Sequence, residues 1–188
     1  EGSYTYYVVA VVGECNAQSE GIDIEVTPSP APPVVSGGTY CEGEDITLMV
    51  EQSDPETMYY WYIQGSEEAI NDPTGEDNGA SLSLPSLDQG SYTYYVVAVV
   101  GECSAQSEAI VVEVKEVPSA PKVGNITVCG PQEITITPSS SSETTEPVFN
   151  FYTGTDPRVF EYDGKEWKHT FETTTTVWVT EVLDGCES

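Results

Sequence analysis

Five cysteines, Cys15, Cys41, Cys103, Cys129 and Cys186, are the side chains of this 188-residue chain with the clearest covalent chemistry available to them. In an oxidising compartment they would pair, and their odd number puts at least one partner elsewhere. The single histidine, His169, lies between Lys168 and Thr170 with no cysteine or histidine at metal-ligand spacing, so a solvent-exposed ring is expected. Serines and threonines are many, yet none sits in G-x-S-x-G or beside a plausible base, and no catalytic residues are assigned. Carboxylates cluster at Asp54, Glu56, Glu67, Glu68, Asp72, Glu76 and Asp77. Of these, Asp72, Glu76 and Asp77, with Asn78 and Gly79 closing a loop, offer oxygens to Ca²⁺. The spacing is not that of an EF-hand loop, so a solvated acidic surface is the simpler reading, and no cofactor beyond that candidate cation is expected.

Composition narrows the partners. Five basic residues face 32 acidic ones, a formal charge of -27, which repels phosphate backbones and anionic headgroups. Neither nucleic-acid binding nor membrane insertion is expected, and no apolar run approaches the ~20 residues of a spanning helix. The chain opens on Glu1-Gly2-Ser3 rather than on a basic, apolar leader, so an export signal is expected outside it.

The elements that must position these residues are organised by a repeat. Gly2 to Val26 returns at Gly90 to Val114, an offset of 88 (90 minus 2), with differences only at Asn16/Ser104, Gly21/Ala109, Asp23/Val111 and Ile24/Val112. A divergent third copy ends in Thr176-Val177-Trp178-Val179-Thr180, with Cys186 where Cys103 and Cys15 stood. The early part recurs as well: Cys41 with Ile46-Thr47-Leu48 answers to Cys129 with Ile134-Thr135-Ile136. Proline-rich linkers, Thr27 to Pro33 and Val117 to Pro121, favour stiff extended chain between the copies. The phase gives three pieces: residues 1–26 as the last two strands of one unit, 27–116 as a whole unit, and 117–188 as a unit without its final strand. A lone hairpin is marginal in water, so the chain reads as a window onto a longer protein.

Ile46, Leu48 and Val50 alternate with Thr47 and Met49, and Tyr92, Tyr94, Val96, Ala98 and Val100 alternate with Thr93, Tyr95, Val97 and Val99. This period of two, broken by Asn71-Asp72-Pro73, Asn78-Gly79 and Asp88-Gln89-Gly90, predicts an all-β fold. In detail the whole unit resembles the immunoglobulin fold. Gly43 to Val50 looks like strand B, Tyr60-Trp61-Tyr62 like strand C with its buried tryptophan, and Tyr92 like the tyrosine corner entering strand F. Val50 and Tyr94 stand where antibody domains place their central cysteines, so packing must hold this core. The order of cysteine, strand B, W-Y, TYYV and G-x-C-x-x-x-S resembles the immunoglobulin-like repeats of secreted Bacteroidetes surface proteins, including gliding-motility adhesins and cargo of the type IX secretion system.

That resemblance implies tandem immunoglobulin-like β-sandwich domains in an extracellular, cell-surface protein, acting as a non-catalytic stalk or spacer of an adhesin or filament. Its partners would be neighbouring repeats of the same long chain, with surface polysaccharide or other fibre subunits as further candidates. The alternative is a carbohydrate-binding accessory module of a secreted hydrolase; near-exact duplication favours the spacer. With Trp61 and Tyr94 inward, Tyr60, Tyr62, Tyr95, Val97 and Val99 face outward, as an interaction face or as cross-strand pairs that stabilise the sheet.

The resemblance also orders the cysteines. Strands B and F run the same way, and Cys41 lies nine residues before Val50 while Cys103 lies nine after Tyr94, which puts the two at opposite ends of one sandwich. It implies instead an inter-domain bond between Cys41 and Cys186, with Cys15, Cys103 and Cys129 paired to repeats outside the window. A donor-strand filament, in which residues 1–26 of one molecule complete residues 117–188 of another, is the remaining alternative.

Overall fold

The computed structural model describes residues 2–74, 77–142 and 146–188; every regular element among them is a strand. In chain order these are β1 (Gly2–Tyr6), β2 (Val9–Val12), β3 (Cys15–Gln18), β4 (Ile22–Val26), β5 (Val34–Val35), β6 (Gly38–Cys41), β7 (Ile46–Glu51), β8 (Met58–Ile63) and β9 (Ser81–Leu84). There follow β10 (Gly90–Val100), β11 (Cys103–Gln106), β12 (Ile110–Lys115), β13 (Gln132–Ile136), β14 (Val148–Thr153), β15 (Val159–Gly164), β16 (Trp167–Phe171), β17 (Val177–Leu183) and β18 (Cys186–Glu187).

Pairing follows the alternation seen in the sequence. A three-stranded sheet runs β5-β7-β9, and a five-stranded sheet runs β11-β10-β12-β6 with β8 also on β10. β12 and β6 are parallel, Val112 opposite Gly38 and Lys115 opposite Cys41, while β8 and β10 are antiparallel, Trp61 opposite Val96. Further along, β13 pairs β16 and a four-stranded sheet runs β15-β14-β17-β18. At the N-terminus β1 pairs β4 and β2 pairs β3.

By contacts the chain divides into two compact units, one of Glu1–Ser36, Thr47–Leu82 and Thr93–Ile110, the other of Gly37–Ile46, Ser83–Tyr92 and Val111–Ser188. The core of the first is Leu48, Val50, Tyr59, Trp61, Leu82, Tyr94, Val96 and Ala98, each buried. Leu48 and Val50 point in while Thr47, Met49 and Glu51 point out, as period-two alternation requires. Val50 and Tyr94 thus fill the cysteine positions of antibody domains with packed side chains. The second unit has its own cluster of Ile136, Phe149, Phe151 and Trp167, flanked by Phe171, Val177 and Val179. Strand β14 puts phenylalanine at both of its buried positions, and the indole comes from β16: Trp167 lies 5.7 Å from the Phe151 ring.

Candidate functional site

Trp61 is fully buried, and its indole Nε1 donates to the Gly79 carbonyl at 2.9 Å. Asn71 ties the same region, accepting from the Trp61 N–H at 2.7 Å and donating to the Tyr59 carbonyl at 2.9 Å. Gly79 is needed where it stands: its φ is +76°, and a Cβ there would meet the Tyr59 carbonyl oxygen at 2.1 Å. Tyr92 donates its hydroxyl to the Asp88 carbonyl at 2.9 Å, the tyrosine-corner bond. Ser107, the serine of G-x-C-x-x-x-S, accepts from the Val96 N–H and donates to the Glu108 carbonyl, which fastens the chain after β11 back onto β10. Ser19 makes the same two bonds with Val8 and Glu20, 88 residues earlier.

The outward side chains of β8 and β10 form a half-buried apolar face. Tyr62 stands opposite Tyr95 and Tyr60 opposite Val97, with Met58 opposite Val99. The Tyr62 and Tyr95 rings are stacked, 5.0 Å apart and 8° from parallel, so each covers one face of the other.

The acidic loop uses its oxygens locally. Asp77 accepts from the Gly79 N–H and Asn78 from the Ala80 N–H, while the Asn78 amide donates to the Asp54 and Thr57 carbonyls. Asp72 is exposed, and Glu76 lies outside the described residues. Among the described residues, no three histidine, cysteine or carboxylate side chains are grouped to hold a metal ion. His169 is exposed and stacks on Trp167 at 4.9 Å; with Phe171 it lines a cleft of about 440 Å³.

The cysteines are placed by turns. Cys41 ends β6, where its N–H donates to the Glu44 carboxylate at 2.7 Å ahead of Gly43 at φ +87°. Cys186 opens β18 after the Asp184-Gly185 turn, opposite Leu183. The two are joined by a disulfide across 145 residues, with Cα atoms 5.6 Å apart. Cys15 and Cys103 hold the same hairpin position as Cys186, opposite Val12 and Val100, and both are unbonded, as is Cys129.

One buried charge went unsuspected in the sequence. Glu181, on β17, is 0 % exposed and accepts from the Ser140 hydroxyl at 2.6 Å and the Ser141 N–H at 3.1 Å. Burial pushes its carboxyl up, but hydrogen bonds from the side chains of Ser140 and Ser142 and the backbone of Ser141 and Ser142 outweigh it and hold the pKa below the ordinary value. The available signal was a glutamate in register with Val177 and Val179, beside the serine run Ser139 to Ser142.

The family described as "Ig-like domain CHU_C associated" matches residues 30–115, from the proline linker through β12. Those residues are similar to that family's Ig-like domain. No curated protein matches the sequence. Among solved structures the chain is similar to fibronectin(III)-like modules of Clostridium thermocellum CbhA, with 16% identity over 83% of this chain and 88% of that one and a TM-score of 0.51. It is also similar to the FN1-FN3 domains of chicken CNTN1, with 13% identity over 98% of this chain and 72% of that one and a TM-score of 0.52. At these identities the likeness shows the fold alone. The chain thus supplies what its geometry supplies: a packed scaffold, a ledge of half-buried aromatics, and a disulfide. This is the equipment of a structural or spacer module.

Proposed function

We infer that the chain is a run of non-catalytic Ig-like spacer repeats of a large extracellular bacterial surface protein, an adhesin or filament with an attachment or gliding role. Residues 1–26 are the closing strands of one repeat, 27–116 a complete repeat, and 117–188 the greater part of the next. The observation that carries the reading is the contrast between two near-copies of one sequence. Tyr94, Val96 and Val112 are 2 %, 0 % and 0 % exposed, whereas their counterparts Tyr6, Val8 and Ile24 are 58 %, 68 % and 47 % exposed. Side chains chosen for a core are chosen for one at both places, so the N-terminal hairpin belongs to a sandwich of its own. The resemblance to Bacteroidetes surface repeats supports export by a type IX route, and the disulfide suits an oxidising, extracellular setting.

A carbohydrate-binding accessory module is the second reading, favoured by the Tyr60, Tyr62 and Tyr95 ledge. The stacking of Tyr62 on Tyr95 weighs against it, because each ring already covers one face of the other. Co-sedimentation of the chain with insoluble and immobilised polysaccharides separates the two. The spacer reading expects no retention above a charge-matched control; saturable retention abolished by Tyr60→Ala would replace it with the second.

A further inference from the structure

The bonded pair joins two different places in the repeat. Cys41 ends β6, the second strand of residues 27–116 and the opening-strand position of the rule below, and Cys186 is the hairpin cysteine of residues 117–188. Cys103 and Cys15 are hairpin cysteines too, each two residues after the corresponding turn glycine, Gly101 at φ +58° and Gly13 at φ +62°. Cys129 is the counterpart of Cys41, 88 residues on, with Ile134 and Ile136 following it as Ile46 and Leu48 follow Cys41. The five cysteines thus fall into two classes, and the bond runs between classes and between successive repeats.

The geometry points to a single pairing rule, which rests on the repeat reading above: the opening-strand cysteine of each repeat bonds the hairpin cysteine of the repeat that follows. Applied to this chain, the rule yields one bond, Cys41–Cys186, and leaves Cys15, Cys103 and Cys129 without an internal partner. These are the three unbonded cysteines. Their surroundings agree. Of the bonded pair Cys186 is 1 % exposed and Cys41 half-buried, whereas Cys15 and Cys129 are exposed and Cys103 is half-buried. Cys129 therefore takes the hairpin cysteine of the next repeat, and Cys103 and Cys15 take opening-strand cysteines of the two preceding repeats. Every repeat is then tied to both neighbours by staggered bonds. Each bond forms when two thiols give up two electrons and two protons to a disulfide donor, which leaves as its dithiol.

The test is a disulfide map of the natural full-length polypeptide, alkylated before digestion without reductant. The expected result links the Cys129 peptide to the hairpin peptide of the following repeat, and the Cys103 and Cys15 peptides to opening-strand peptides of preceding repeats. A bond between two hairpin cysteines, a bond within one repeat, or recovery of these three as alkylated thiols overturns the rule. If the flanking sequence holds no such repeats, the spacer reading fails instead, and the two failures are told apart by sequence before any mapping. In the 188-residue chain itself, alkylation of the oxidised protein marks three cysteines, and Cys129→Ser lowers the count to two with Cys41–Cys186 intact. A count of one in the unsubstituted chain, which requires a bond among Cys15, Cys103 and Cys129, contradicts the rule.

Discussion

Gly79 shows how strictly one residue can be fixed by its neighbours. Its positive φ alone would strain any L side chain by roughly 1–2 kcal/mol, and a methyl group would also collide with the backbone carbonyl of Tyr59. Gly79→Ala is therefore expected to lower stability by about 3 kcal/mol in urea titrations. Gly43→Ala, with a φ of +87° but open space around the new methyl, is expected to cost about 1 kcal/mol. Equal losses would show that strain, not the clash, decides. Glu181 makes a different prediction, one of pH. Its folded pKa lies below the unfolded value of about 4.3, so its contribution to stability is complete above that pH and is lost as acid protonates the folded carboxylate. Glu181→Gln should be less stable than the parent at pH 7, with the gap closing as the pH is taken toward 3; a gap that stays constant would mean the charge is not what Ser140 and Ser141 bind.

Strands and hairpins carry the next level. Ser107 supplies the acceptor for the buried Val96 N–H, so Ser107→Ala leaves that donor unmatched and should cost about 1–3 kcal/mol in thermal or urea unfolding. Ser19→Ala removes the same bond from an exposed hairpin, where water replaces it, and should leave the midpoint nearly unchanged. At this scale much was legible in the sequence. Period-two alternation placed β7 and β10 and the inward side of each, because one buried face leaves a strong local pattern. Trp61 and Tyr92 stood out by their resemblance to the core tryptophan and tyrosine corner of the immunoglobulin fold. Trp167 did not: it lies between Lys165 and Lys168 in a strand with polar neighbours, and only long-range packing against Ile136, Phe151 and Phe171 takes it into a core. Glu181 was hidden because its partners, Ser140 and Ser141, lie some forty residues away. The Asp72 to Asn78 carboxylates and amide, read as oxygens for a cation, include Asp77 and Asn78, whose oxygens close backbone turns, a use that spacing alone does not reveal.

For the molecule as a whole, the decisive feature is the bond across 145 residues. On the chain-entropy account, closing so long a loop in the unfolded state is worth about 5 kcal/mol, so reduction or Cys41→Ser should lower the unfolding midpoint more than Gly79→Ala does. The surface ion pairs contribute far less. Lys115–Glu113 and Lys168–Glu166 each join residues two apart, and with so large a net negative charge, added salt should raise stability by screening repulsion rather than lower it by breaking pairs.

The central claim to test is that the Cys41–Cys186 bond limits how far the chain extends under load. Pulled from its two ends in a single-molecule force experiment, the oxidised chain can lengthen only in the segments before Cys41 and after Cys186, because the covalent bond shunts the force past the 145-residue stretch between them. Added reductant should release that stretch and add about 500 Å of contour length at ~3.5 Å per residue. Equal extension with and without reductant would contradict the account, since it would mean that Cys41 and Cys186 are not bonded.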